Sequence, residues 1–356
     1  MKQSSPYYYP ILTSMRFFAA SMVVIHHFGL SSWPFDSPER FPIVHQGGWV
    51  VSFFFFLSGT VLTLGQQGER IGNWKAVVLK RFGRIYPLYW IALLPTILMM
   101  MWLYHAYPKG IRVIAHTFLL QAWFPGISLE MNYPSWTLAV EIFFYAVFPF
   151  VFNFFRKLSL LRSFMLVLAI WVFSFWVQLK MSAGNWLIEG INMDHLLLYF
   201  PLQHLNTFLW GIFGGKIIQY TADISWINRS KKWLLLVSAV GLYFLLQHFE
   251  WLRVHGHNGL LSPFFALILI GGTTQDRFWN GLLANRLMLF LGQISYTFYL
   301  FQFLVFMVFI KIVGRDDVHG GAFMVYFLVL VIFSALVHQY VDQPIQRRLR
   351  SRIKKG

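Results

Sequence analysis

Apolar runs separated by short clusters of basic and polar residues set the pattern of this chain. Ile85 to Leu103, Phe164 to Val177 and Phe323 to Val337 contain no Asp, Glu, Lys or Arg. A helix that crosses a bilayer needs roughly 20 predominantly apolar residues, so runs of this kind predict transmembrane helices. The pattern predicts ten of them, over 10–30, 46–65, 85–104, 137–155, 160–179, 198–218, 233–248, 258–272, 288–312 and 321–340. The expected fold class is all-α: one polytopic transmembrane helical bundle over 1–345, with a basic cytoplasmic tail over 346–356. Ile111 to Phe124 is apolar but only about 14 residues long, too short to span. It is expected to be re-entrant or to lie at the outer interface. No internal repeat or linker interrupts the pattern, and so little chain follows the last helix that no appended soluble domain is expected.

Composition agrees with a lipid environment. The chain is 57% hydrophobic and 12% charged, whereas soluble domains carry about 25% charged residues. A net charge of +16 would suggest nucleic acid in a soluble protein. Here the basic residues sit in short loops between apolar runs, where orientation in the membrane accounts for them, so no nucleic-acid partner is expected. With the N-terminus placed inside and Arg16 set aside as intramembrane, alternate sides receive 21 and 7 Lys and Arg residues. That positive-inside bias predicts both termini in the cytoplasm. The first apolar run follows the polar Ser4 and Ser5 and lacks a small-residue cleavage site, so it is expected to be a retained helix. The absence of cysteine excludes disulfides, thiolate metal sites and a cysteine nucleophile.

Ionisable groups inside apolar helices cost roughly 2.5–3.5 kcal/mol on insertion scales, so each is a candidate for chemistry. The first helix carries Arg16, His26 and His27. Eleven residues at about 100° each put Arg16 and His27 on one face about 16 Å apart, with His26 turned roughly 80° away. His27 is therefore the histidine able to act with Arg16. Snorkelling of Arg16 to the inner surface and hydrogen bonding of the histidines within the bundle is the alternative. Arg81 and Arg84 lie three residues apart at the expected cytoplasmic mouth of a helix, followed by Tyr86, Pro87, Tyr89 and Trp90. Two guanidiniums on one face can grip a phosphate or diphosphate, although positive-inside topology alone also explains their charge. Glu141 stands about one turn into the apolar run after Trp136. A carboxylate there needs a partner, and the predicted topology puts it on the same outer side as His27. A His and a Glu that meet form an acid/base pair; a helix-packing ion pair is the alternative.

These segments, taken in order, resemble the acyltransferase type 3 family, membrane acyltransferases that typically O-acetylate bacterial surface glycans. Arg16 and His27 are similar to its first-helix signature, Val51 to Thr63 to its FF-x-LSG segment, and RFGRIYPLYW to its R-x-x-R-x-x-P stretch. SWTLAVEIFFYAVFP resembles the W-S-L-x-x-E-x-x-F-Y segment, with Trp136, Glu141 and Tyr145 at matching places. LGQISYTFYLFQFLV, with Tyr296 and Tyr299, and VDQPIQRRL resemble the closing segments. The chain departs from the family pattern at Gln302, where many members have a histidine, at Asp342 for Glu and at Thr137 for Ser. Gln302 is not expected to supply acid/base chemistry.

The resemblance implies a bacterial inner-membrane O-acyltransferase with acetyl-CoA, or another acyl-CoA, as donor and a surface polysaccharide or lipid-linked sugar as acceptor. Arg81, Arg84 and Tyr86 would hold the donor, and its pantetheine arm, on the order of 15–20 Å long by its bond spacing, would run past Arg16. His27 would serve as base with Glu141 positioning it or the acceptor, or His27 would carry the acyl group covalently. Trp136, Tyr145, Tyr296 and Tyr299 would line the substrate path. No permanently bound cofactor and no metal are expected, and acceptor contacts are expected in the outer loops 36–46 and 180–194. A glycolipid or saccharide transporter or flippase would also suit ten helices with intramembrane charges, but no convincing pair of Gly- and Pro-broken helices is visible. A membrane scaffold or sensor is the third class.

Overall fold

The computed structural model describes residues 9–45, 47–183, 193–248, 256–314 and 318–353. Gln46, residues 184–192 of the outer loop, and the charges Lys2, Arg253, Arg315, Lys354 and Lys355 lie outside the described residues. Among the described residues all regular structure is helical.

The first helix, α1 (Pro10–Phe28), begins on a proline, whose fixed φ suits a first turn. A short α2 (Pro42–His45) leads to α3 (Gly48–Leu64). Next comes α4 (Trp74–Tyr104), opened by Asn73, whose side chain accepts from the Ala76 N–H at 3.0 Å. It is followed by α5 (Gly110–Thr117), α6 (Trp136–Phe155), α7 (Leu160–Ser182) and α8 (Met193–Tyr199). Then follow α9 (Leu205–Tyr220), α10 (Ser225–His248), α11 (Ser262–Gly271) and α12 (Arg277–Leu283). The chain closes with α13 (Arg286–Val313), α14 (Gly321–Val337), a π turn over His338–Asp342 and α15 (Gln343–Ile353).

Each predicted apolar run falls on a helix. Among the described residues six stretches are long and apolar enough to cross a membrane: Pro10–Phe28, Trp74–Tyr104, Tyr133–Phe155, Leu160–Ser182, Arg286–Val313 and Gly321–Leu349. The others fall short for identifiable reasons. At 17, 16 and 10 residues, α3, α9 and α11 are short, and α10 carries Arg229, Lys231 and Lys232. Large apolar side chains stand exposed along α7 and α14, among them Phe173 at 62% and Leu328 at 59%. Such surface has no place in water and suits contact with lipid chains. The protein is a multi-pass membrane protein.

Inside the bundle, α3 and α9 touch backbone to backbone. A Cβ on Gly211 would stand 2.1 Å from the Phe56 carbonyl oxygen, and one on Gly59 would stand 2.4 Å from that of Phe208. Only glycine permits this approach, and the Thr60 hydroxyl closes it by donating to the Gly211 carbonyl at 3.0 Å. A second close approach joins α1 to α13, where a Cβ on Gly292 would meet the Thr13 carbonyl oxygen at 2.3 Å.

Ile111 to Phe124 does not form a spanning helix. It contains the second to last residues of the eight-residue α5, a turn, and a single 3-10 turn at Gln121–Trp123. The segment folds back along α4: the Tyr89 hydroxyl donates to the His116 carbonyl at 2.7 Å and the Trp90 indole to that of Thr117 at 3.0 Å. The tail boundary at 345/346 falls inside α15, a continuous helix packed on α4.

Candidate functional site

A cavity of about 620 Å³ opens among α1, α3, α4, α6, α13 and the α14–α15 junction. Arg16, Arg81, Arg84 and Arg347 line it, against the two carboxylates Glu141 and Asp342. The excess of guanidinium groups suits an anion with more than one negative charge.

Local structure explains how the charges converge. The close approach of Thr13 to Gly292 presses the Arg16 turn of α1 against α13. On α6, Glu141 and Tyr145 are four residues apart on one face, and the Tyr145 hydroxyl donates to Glu141 Oε2 at 3.1 Å. The Arg81 guanidinium lies 5.9 Å from the centre of the Tyr145 ring, a cation–π contact. Arg84, Arg16 and Arg81 are the cations whose charge bears on Glu141. Tyr296 and Tyr299 line the same cavity from α13. The Tyr296 hydroxyl donates to the Ile85 carbonyl at 3.1 Å, and that of Tyr299 to the Pro134 carbonyl at 3.0 Å.

His27 is not among the lining residues. Its Nδ1 lies 2.9 Å from Gln302 Oε1, and its ring packs edge-on against Tyr133 at 4.7 Å between centroids. The fully buried Gln302 donates through Nε2 to the Tyr299 carbonyl at 2.8 Å. A carbonyl can only accept, so the amide oxygen faces His27 and Nδ1 carries the proton. Nε2 is thus the basic nitrogen of His27. Tyr299 lines the cavity and Gln302 is three residues further along α13, so the cavity ends about one helical turn from His27.

The expected pairing of Glu141 with His27 is not what the fold brings together. Tyr133, which touches His27, sits eight residues before Glu141, a descent of about 12 Å along nearly helical chain. Glu141 is therefore level with Arg16 rather than with His27. The reason is the segment preceding α6, which folds back along α4 before the helix begins, so that α6 starts at the depth of His27. Two further expected site residues stand outside the lining of this cavity. Tyr86 turns away from the cavity, donating to the Phe118 carbonyl at 3.0 Å and packing on Phe82 and Trp90. Trp136 is buried outside the cavity, stacked on His257 at 5.4 Å and against His204. His26, the alternative histidine, hydrogen-bonds through Nδ1 to the Val44 carbonyl at 2.9 Å. Gln302, set aside in the sequence only as an acid/base group, is hydrogen-bonded to His27, and its position in the family pattern was the available signal.

Comparison with known proteins agrees with this geometry. A family model described as an acyltransferase domain matches residues 9–338. A proposed acetyltransferase, ORF330, of Acidianus two-tailed virus is 25% identical over 305 residues, covering 84% of this chain and 83% of its own. Acyltransferase MdmB of Streptomyces mycarofaciens is 24% identical over 368 residues, 96% of this chain and 93% of its own. A proposed O-acetyltransferase of Staphylococcus aureus strain COL is 24% identical over 96% of this chain, which spans 58% of that longer protein. No solved structure matches.

Proposed function

This chain belongs to the acyltransferase family matched over residues 9–338, and we propose that it is an O-acyltransferase of the bacterial inner membrane. In this reading it moves an acetyl group from acetyl-CoA to a hydroxyl of a surface polysaccharide or lipid-linked sugar. The bundle crosses the membrane ten times with both termini cytoplasmic, and the arginine-lined cavity opens to the cytoplasmic donor. The carrying observation is that cavity, where Arg16, Arg81 and Arg84 converge on one space ending a helical turn from His27.

The donor's phosphates lie against Arg81 and Arg84, and its acyl arm passes Arg16 toward Tyr299. His27 Nε2 takes the proton of the acceptor hydroxyl while the oxygen attacks the thioester carbonyl. The C–S bond then breaks, and the imidazolium returns the proton to the departing thiolate. Gln302 holds the imidazole in the tautomer this step requires, and Glu141 with Tyr145 arranges the arginines rather than the base. The test compares glycan mass in cells lacking the protein with cells carrying wild type, His27→Ala or His26→Ala. The expected result is acylation restored by wild type and by His26→Ala but lost, by at least about 10²-fold in rate, in His27→Ala. Full acylation in His27→Ala would refute the assigned base.

A further inference from the structure

The rim of the cavity carries a guanidinium that the sequence pattern assigns to the cytoplasmic tail. Arg347 is exposed and lines the cavity from α15. Its Nη2 donates to Gln343 Oε1 at 3.1 Å. With that oxygen engaged, Gln343 presents Nε2–H to His338 Nε2, 3.1 Å away, which must therefore hold a lone pair. His338 Nδ1 then carries the proton and donates to Asp342 Oδ2 at 3.0 Å. The His338 and Asp342 side chains are only 11% and 14% exposed. They stand on the single π turn at the α14–α15 junction, an irregularity that recurs at functional sites. Gln346 fixes the same helix to the donor-binding turn, donating to the Arg84 carbonyl at 3.3 Å.

We propose that Arg347 binds the 3′-phosphate of the acyl-CoA donor, held at the cavity rim through Gln343, His338 and Asp342. The proposal rests on the acyl-CoA reading of the cavity. An acyl-CoA bears two phosphate groups at different distances from its thioester: the diphosphate adjoins the pantetheine arm, and the 3′-monoester lies beyond it. The cavity also carries two groups of cations, Arg16 and Arg81 partly buried within it and Arg84 and Arg347 exposed at its rim on different helices. Only one N–H of the Arg347 guanidinium is committed to Gln343, leaving the rest of its donor fork for an anion. A phosphate monoester carries about −1.5 to −2 charges at neutral pH and suits such a fork.

The test measures binding of coenzyme A and of 3′-dephospho-coenzyme A to the full chain in lipid nanodiscs by titration calorimetry. Wild type is expected to prefer coenzyme A by about tenfold or more, the range of a charge-assisted hydrogen bond. Arg347→Ala is expected to remove that preference while leaving 3′-dephospho-coenzyme A binding unchanged. Gln343→Leu is expected to reduce the preference in part, and Arg348→Ala, its exposed neighbour, to retain it. Equal weakening of both ligands by Arg347→Ala, or an effect of Arg348→Ala as large, would overturn the proposal and leave the donor cavity standing. Failure of wild type to bind either ligand would instead remove the acyl-CoA reading on which the proposal depends.

Discussion

Adding one methyl group at Gly292 tests whether the contact between α1 and α13 sets the geometry of the arginine-lined cavity. The new Cβ would lie 2.3 Å from the Thr13 carbonyl oxygen, against 3.4 Å or more for an ordinary contact. Backbone cannot rotate away as a side chain can, so α1 and α13 must separate by about 1 Å. Two effects oppose each other. Alanine is favoured over glycine within a helix by about 0.5–1 kcal/mol, whereas overpacking of this kind costs about 1–3 kcal/mol. The second prevails, so Gly292→Ala is expected to melt earlier than wild type when followed by tryptophan fluorescence in nanodiscs. Arg16 lies one turn beyond Thr13, and a misplacement of about 1 Å costs about 10²-fold in a positioned reaction. Acyl transfer should therefore fall more than stability alone explains, and coenzyme A affinity should fall with it. Gly281→Ala, whose Cβ meets nothing within 4 Å, is the control. A Gly292→Ala protein with wild-type melting and wild-type transfer would refute this account of the α1–α13 contact.

Gln302→Leu removes the acceptor for His27 Nδ1–H and is expected to lower kcat about tenfold, the value of one buried hydrogen bond, with donor KM unchanged. An unchanged kcat would mean that Gln302 does not set the imidazole tautomer. Lys216 donates to the Phe155 and Leu158 carbonyls at 2.9 and 2.5 Å and to the Ser163 hydroxyl at 2.9 Å, tying together the α6–α7 turn. Lys216→Met should destabilise the fold by about 1–3 kcal/mol in thermal melts while leaving coenzyme A affinity intact. Gly211→Ala should be more damaging to folding than Gly292→Ala, since its Cβ would lie 2.1 Å from the Phe56 carbonyl oxygen; equal yield and melting of the two variants would contradict that ranking.

Hydrophobic periodicity located the helices because each spans enough apolar residues to leave a one-dimensional signal. The convergence of Arg16, Arg81 and Arg84 was legible for a similar reason: charges near one end of adjacent helices reach one level whatever the details of packing. Glu141 was misplaced because its depth depends on where α6 begins, and that is set by how the preceding segment folds back along α4. The shortness of Ile111 to Phe124 marks it as re-entrant or interfacial, but nothing in its spacing fixes the depth at which α6 then begins. The roles proposed for Gln302 and Arg347 rest on contacts spanning 275 positions, between His27 and Gln302, and on a helix docking against α4. Residue type hid both, since a buried glutamine reads as inert and a basic tail reads as an orientation signal.

The most direct test of the central claim is titration of acetyl-CoA into the purified wild-type protein and the Arg81→Ala/Arg84→Ala double variant in nanodiscs. The account predicts saturable binding to wild type and a loss of about 10²-fold or more in the double variant, as expected for two charge-assisted contacts. Equal affinity in the two proteins, or no binding to wild type, would contradict it.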